Sequence, residues 1–427
     1  MQNRRIRKIN LTLFTFSIFL LVNCADKNSE RNDIQQYHEL RVIASCDRFN
    51  PYDGNPVIAT GPEGSWDAGA LGSMTIIKVD DTFHIYYEAW GERSEKEWDA
   101  AEYETLQIGH ATSKDGIRWK KDPNNPVLHQ GDEGEWDATG VWDPYVIYED
   151  GLFKMWYGGG GGRYPNYGWA YAVSENGSNF QKYGLIGKNN RSEVEDVHVV
   201  HDKDSRLYFL YYWHGHEEGE DLFYVTSPTE TDFDFSKSKI ITIQNDDSFW
   251  KKFGQVLKND EGWHMFYSNY VAPHGRNSIV RYAVSEDGII WKAKNKRLLY
   301  GLDADVLQLT KDLFLMVYAP ENHFDKKDAD IRIAVYNGKL SELTKNSSLI
   351  TEIEQTSITG KKFNILLGED GKHTFHFKSE GEVVISDEDG YSFNGFYEHI
   401  GDTVQIIGEG SEFKGIYDGT TLKFDKE

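Results

Sequence analysis

Between residues 47 and 338 one pattern of apolar and polar positions is written five times. Its clearest part is a short aromatic run ending on tyrosine: FHIYY (83–87), FKMWY (153–157), LYFLY (207–211), WHMFY (263–267) and FLMVY (314–318). An apolar strand and a turn precede each run, and a small-residue strand follows: HATS (110–113), YAVS (171–174), YVTS (224–227), YAVS (282–285) and IAV (333–335). Three of these enter a shared turn: SKDGIRW (113–119), SENGSNF (174–180) and SEDGIIW (285–291). Asp or Asn before Gly makes a tight hairpin, and the later aromatic is placed to pack between neighbouring sheets. A unit of roughly 50 residues holding three or four strands predicts a propeller blade. The fold class read from the pattern is all-β: a five-bladed β-propeller over 47–340. The segment Asn50–Ile58 is placed to close the ring beside the last blade. A solenoid of stacked β units is the structural alternative.

The pattern changes at both ends. From about Glu352 the strands are short and carry no blade signature, but they contain a smaller repeat: NGFY (394–397) with GDTVQI (401–406), then KGIY (414–417) with GTTLKF (419–424). Residues 350–427 are therefore expected to form a small β-barrel or β-sandwich accessory domain. At the start, Arg4, Arg5, Arg7 and Lys8 precede the apolar run Leu11–Val22, which is too short to span a bilayer comfortably. The run ends LVNC, so 1–23 reads as a lipoprotein signal peptide, with Cys24 the lipidated residue and 24–46 a tether. With Cys24 lipidated, Cys46 would be the one remaining thiol, and no intrachain disulfide would form. This places the protein in a bacterial cell envelope, on a membrane through its lipid.

Composition narrows the function. Sixty aromatic residues (Trp 12, Tyr 25, Phe 23) and 40 glycines suit aromatic strands joined by tight turns. A formal charge of −23 makes a nucleic-acid backbone a poor partner. The glycine run 158–162 is followed by no helix and no Gly-Lys-Ser/Thr element, so it reads as a loop on a blade rim rather than a phosphate cradle.

The candidate chemistry lies where the first strand of each blade begins, because in a propeller these strands line the central channel. With the units aligned on their second strands, these starts are WDAGALGSMT (66–75), WDATGVWDPY (136–145), EVEDVH (193–198), FGQ (253–255) and DAD (303–305). Carboxylates from Asp67, Asp143, Glu195, Asp196 and either Asp303 or Asp305 would gather at one end of the channel, with Trp66, Trp142, Tyr145 and Phe253 as aromatic platforms and His198 beside them. Glycoside hydrolysis needs one acid for the leaving oxygen and a second carboxylate to activate water or attack the sugar. Crowding like charges raises one of the pKa values. Trp-Asp elements at 66–67 and 136–137 also fit a purely structural blade corner. His110, inside a third strand, reads as a strand residue.

The Asp143-Pro144 strand start and the Ser-x-Asp-Gly-x-x-Trp turns resemble the five-bladed propeller glycosidases of families 43, 32 and 130, over about residues 47–338. The resemblance to families 43 and 32 implies a base or nucleophile on blade 1, an orienting carboxylate at Asp143 and an acid at Glu195, whereas family 130 uses a different arrangement with basic residues for phosphate. Trp142 stands where families 43 and 32 carry arginine, and the aligned blade 1 residue is Ser73, so Asp67 becomes the nearest candidate base. No Arg/Lys cluster suited to phosphate appears on the strand starts, which favours hydrolysis over phosphorolysis. A channel histidine could hold a structural calcium; no other cofactor is implied. The function expected is hydrolysis of plant or algal oligosaccharides by a lipid-anchored enzyme. The alternative is a glycan-binding propeller without turnover.

Overall fold

The computed structural model describes residues 36–343 apart from 92–105, 161–166, 188–193, 217–218, 247–250, 271–277 and 321–329, together with strands between 362 and 424. The signal region and Cys24 lie outside the described residues.

The five repeats become five sheets, each beginning on an inner strand: Ala70–Val79, Gly140–Glu149, Val194–Asp202, Lys251–Asn259 and Leu302–Thr310. The aromatic runs form the second strands. Sheet neighbours flank them on both edges and adjacent blades cover both faces, which explains why they read as continuous apolar runs without alternation. Tyr86, Tyr87, Tyr157, Tyr211 and Tyr267 are all fully buried. Their hydroxyls need partners there, and two reach the turn of the next blade: Tyr86 donates to the Gly177 carbonyl at 2.9 Å and Tyr211 to that of Gly288 at 3.0 Å.

The shared turn works in the same way three times. In the first copy Ser113 Oγ accepts from the Gly116 amide at 2.9 Å, and Asp115 Oδ1 accepts from the Ile117 and Arg118 amides at 2.9 and 2.7 Å. Gly116, Gly177 and Gly288 all have φ between 75° and 78°, a backbone state that the repeated glycine makes inexpensive.

The ring closes with a strand from the N-terminal side. Asn50–Pro51 pairs with Arg332–Asn337, Asn50 opposite Val335, and Ile58 bridges to Ile331. The closure expected from 50–58 is present, and the arrangement is a propeller rather than a solenoid. A short helix, His38–Ile43, covers this seam: buried Arg41 donates to Asn337 Oδ1 at 2.7 Å and to Asp312 Oδ1 at 3.2 Å. The segment 239–244 joins two blades. Ile240 pairs with Phe223 of blade 3, and Thr242 runs parallel to Ile290 as a fifth strand of blade 4.

Blades 1 and 2 share a buried polar chain. His84 Nδ1 lies 3.0 Å from His110 Nε2, and His110 Nδ1 lies 2.9 Å from Asp122 Oδ2, which also accepts from Ser178 of blade 2. His110 is therefore a structural residue. The C-terminal strands, Lys362–Leu366 to Leu422–Phe424, form one seven-stranded antiparallel sheet in chain order. Its buried residues Phe377, Val383 and Ile385 share one face.

Cys46 is disulfide-bonded, which departs from the free thiol expected. The sequence holds one other cysteine, Cys24, outside the described residues.

Candidate functional site

Every inner strand carries a bulge near its start, interrupting the pairing between Gly72 and Met74, Trp142 and Tyr145, Glu195 and His198, Phe253 and Gln255, and Leu302 and Asp305. The bulged positions are Ser73, Asp143, Asp196, Gly254 and Asp303, and all five line one cavity at the hub. The alignment on second strands is thus reproduced: Asp143, Ser73 and Asp196 are equivalent, and Asp303 joins them. Asp143, Asp196 and Asp303 adopt φ of 47°, 52° and 52°. A side chain in that region costs about 1–2 kcal/mol, least for Asp and Asn, and such strain collects at functional sites. The bulge turns one carboxylate of each of these three blades toward the axis.

Side chains stitch each blade to the next at this level. Glu88 Oε2 accepts from the Asp143 amide at 3.0 Å (blade 1 to 2), and Asp143 Oδ2 accepts from the Asp196 amide at 2.9 Å (blade 2 to 3). His198 Nε2 donates to the Val256 carbonyl at 2.9 Å (blade 3 to 4). Gln255 accepts from the Val306 amide at 2.5 Å and donates to its carbonyl at 2.8 Å (blade 4 to 5). Asp305 Oδ2 accepts from Thr75 Oγ1 at 2.9 Å and the Ile76 amide at 2.7 Å, returning to blade 1. Burial pushes Asp305 up to about 7, although three donors oppose it. Burial also pushes His198 down to about 3, so its imidazole is neutral. The Tyr145 ring lies over it, centroids 3.8 Å apart, and burial raises the Tyr145 phenol well above its usual range.

No family model matches the chain. A 1,2-β-oligomannan phosphorylase from Thermoanaerobacter is 28% identical over 132 residues, 31% of this chain and 43% of that protein. The match thus spans less than half of the relative's length. Among solved structures, a β-1,2-mannobiose phosphorylase from Listeria innocua, in complex with β-1,2-mannobiose, aligns over 70% of this chain and 99% of its own, with a TM-score of 0.53 and 16% identity. A structure from work on the GH130 family of mannoside phosphorylases, which contains glycoside hydrolases targeting β-1,2 mannosidic linkages in Candida mannan, covers 69% and 94%, with a TM-score of 0.53 and 16% identity. This chain has the propeller fold of mannoside-processing enzymes. At these identities the structural likeness establishes the fold.

The sequence-derived residues separate into three groups within that propeller. Asp143, Tyr145, Asp196, His198 and Asp305 line the cavity. His198 and Asp305 are also ring stitches, which fixes their orientation and makes them contributors to closure as well as to the lining.

Asp67, Trp66 and Trp142 go elsewhere. Asp67 is buried, 2.5 Å from Lys121 Nζ on the outer strand of blade 1, and accepts from Ser65 Oγ at 2.9 Å. Asp137 repeats this with Lys182 at 2.7 Å. The Trp-Asp elements are blade corners, and a carboxylate neutralised by lysine away from the cavity is not placed to be the base. Trp66 stacks on Tyr87 and Trp136 leans on Tyr157, with centroids 6.3 and 6.0 Å apart. Trp142 is 2% exposed and packs edge-on to Tyr167, so it offers no open face to a sugar.

The third group is Glu195, known by its backbone alone. It pairs with Trp213 one residue before the bulge, at the position Trp142 takes in blade 2.

The glycine run has a packing explanation. Gly158–Gly160 end a strand rather than a loop, and a Cβ at Gly158 would lie 2.4 Å from Trp142 Nε1. Among the described residues no group of three His, Cys, Asp or Glu is arranged to hold a metal. His198 donates its Nε2–H to a carbonyl, which leaves Nδ1 as the acceptor nitrogen of its ring.

Two features escaped the sequence reading. Ser73 Oγ is buried in the cavity wall without a hydrogen-bond partner, leaving a hydroxyl for a ligand. Glu88 reaches the hub from a second strand. The signal was a lone charged residue within an apolar run.

Proposed function

We propose that this protein is a glycan-processing enzyme that cleaves a glycosidic bond at the propeller hub. The observation that carries this is the set of three strained aspartates, Asp143, Asp196 and Asp303, converging on one cavity. Glycoside cleavage asks for such a group: one carboxyl to protonate the leaving oxygen, another to activate the attacking oxygen, and repulsion between them to separate their pKa values. In this reading Asp143 holds the sugar and orients its partner, Asp196 supplies a second carboxylate, and Glu195, at the entrance to the same bulge, is the acid. Ser73 Oγ meets a sugar hydroxyl.

The substrate class best supported is a β-mannoside, since the relative and the structural neighbours above act on β-1,2-linked mannose. Plant or algal oligosaccharides are the second class. Hydrolysis is proposed over phosphorolysis, because no Lys or Arg lines the cavity among the described residues. Purified protein is expected to release free mannose from β-1,2-mannobiose at a rate indifferent to added inorganic phosphate. Sugar 1-phosphate as product, formed only with phosphate present, would reverse that choice. The second reading, a glycan-binding propeller without turnover, draws on Ser73 at the blade 1 position. It forecasts mannobiose binding by calorimetry with no product.

We also propose that Cys24 carries a lipid that holds the protein on the bacterial envelope. A thioether and a disulfide compete for one sulfur, so the Cys46 disulfide supplies the contrary case. Radioactive palmitate fed to an expressing bacterium should label the wild type and not Cys24→Ala. An unlabelled wild type that releases the Cys24–Cys46 peptide pair only on reduction would overturn the anchor.

A further inference from the structure

The blade 1 bulge holds Ser73 where blades 2, 3 and 5 hold aspartate, yet a carboxylate stands at the same level. It belongs to Glu88, on the neighbouring strand Thr82–Trp90, directly opposite Gly72 in the pairing. Its side chain folds back over Gly72. A Cβ there would lie 2.7 Å from Glu88 Oε1 and 3.4 Å from Cγ and Cδ, so the missing side chain of Gly72 is the space the carboxylate occupies. Glu88 Oε2 then crosses to blade 2 and accepts the Asp143 amide at 3.0 Å.

That amide belongs to a residue with φ 47°, a conformation an isolated Asp seldom adopts. An acceptor placed on its N–H selects this conformation, and with it the direction of the Asp143 side chain. Asp143 Oδ2 in turn accepts the amide of Asp196, φ 52°, at 2.9 Å. The order is Glu88, Asp143, Asp196: one carboxylate sets the backbone of the next residue, which sets the next. Asp143 and Asp196 are two of the carboxylates that line the cavity, whereas Glu88 acts on them from the wall.

We propose that Glu88 is the positioning residue of this site, holding Asp143 in its strained backbone state and, through Asp143, fixing Asp196, with Gly72 conserving the space it needs. This rests on the reading of the hub as a glycan-cleaving site. The physical requirement is an acceptor oxygen at that distance, not a negative charge or a proton. Gln supplies the same oxygen on the same chain length; Ala supplies nothing.

The test compares wild type, Glu88→Gln, Glu88→Ala, Gly72→Ala and the double variant Gly72→Ala/Glu88→Ala on β-1,2-mannobiose and on a panel of plant and algal oligosaccharides. Each is normalised to folded protein by near-UV circular dichroism. Glu88→Ala should lose about a hundredfold in kcat, the scale expected when catalytic groups shift by about an ångström, with KM changed much less. Glu88→Gln should keep kcat within severalfold and leave the pH profile in place. Gly72→Ala should reproduce the Glu88→Ala loss by displacing the carboxylate. The double variant should then be no worse than either single one, because both remove the same contact. Equal loss in Gln and Ala variants would overturn positioning in favour of a charged, directly acting Glu88. Unchanged kcat per folded molecule in Glu88→Ala, with only a lower Tm, would overturn it in favour of a merely structural bond. If wild type cleaves nothing on the panel, the hub reading falls and this role with it. An active wild type with an indifferent Glu88→Ala sinks the positioning role alone.

Discussion

Asp143→Asn is expected to lower turnover on a cleaved glycan about a thousandfold while the melting temperature stays level or rises. The first part follows from removing a carboxylate that both holds the sugar and orients a neighbour, since general acid–base work and positioning each contribute factors of this size. The second follows from two structural facts. Asn tolerates the left-handed backbone at φ 47° as well as Asp does, so no strain is added. It also keeps an oxygen for the Asp196 amide, now 2.9 Å from Oδ2, while removing one of several mutually repelling charges. Glu195→Gln should lose turnover to a similar degree but retain binding better, because an acid acts on the leaving group. Kinetics, calorimetric titration with the glycan and thermal melts on the same preparations check all three statements. Full activity in both variants, on a substrate the wild type cleaves, would place the chemistry outside this cavity.

Asp305→Ala is expected to cost several kcal/mol of stability, and Asp305→Asn to abolish a pH dependence the wild type shows. Asp305 is the stitch that closes blade 5 onto blade 1. Truncation leaves the Thr75 hydroxyl and Ile76 amide buried without their acceptor, at about 1–3 kcal/mol for each. The pH effect has a definite sign. The carboxyl titrates near 7 in the folded protein and near 3.8 in an unfolded chain, so between about pH 4 and 7 the folded state holds a proton that the unfolded state has released. Stability from this group is therefore fully present below the unfolded value. It is lost as pH rises toward the folded one, by at most about 1.4 kcal/mol per pH unit. Asn mimics the protonated acid in shape and neutrality. The difference in unfolding free energy between wild type and Asp305→Asn, measured by urea titration from pH 4 to 8, should move in favour of Asn as pH rises. A difference flat across that range would show that Asp305 stays ionised throughout.

The hub that these two predictions probe was only partly legible in the chain. The second-strand register was enough to make Ser73, Asp143 and Asp196 equivalent, because the aromatic runs and Asp-Gly turns recur at positions that sheet geometry must respect. That register placed Ser73 rather than Asp67 level with Asp143, yet the local sequence did not separate Asp67 from Asp143 as a candidate carboxylate. Both follow a tryptophan, but Lys121, which neutralises Asp67, lies 54 residues further along on an outer strand. Trp142 read as a platform because aromatic residues at a channel mouth suit sugars. Packing against Tyr167 and the bare Gly158 backbone buries it instead.

What the sequence by itself determined is the repeat: five blades, their strand order, the turn that caps three of them, and the closing strand at Asn50–Pro51. These follow from period and turn chemistry, which are local properties of consecutive residues. What only the tertiary structure decided is the direction of side chains at the axis. A one-residue bulge gives Asp143, Asp196 and Asp303 a left-handed backbone and turns them into the cavity. Bonds between residues 51 to 230 positions apart then hold that geometry around the ring. A bulge exists only relative to its partner strand, and an inter-blade bond only once the ring is closed, so neither leaves a period in the chain that could be read.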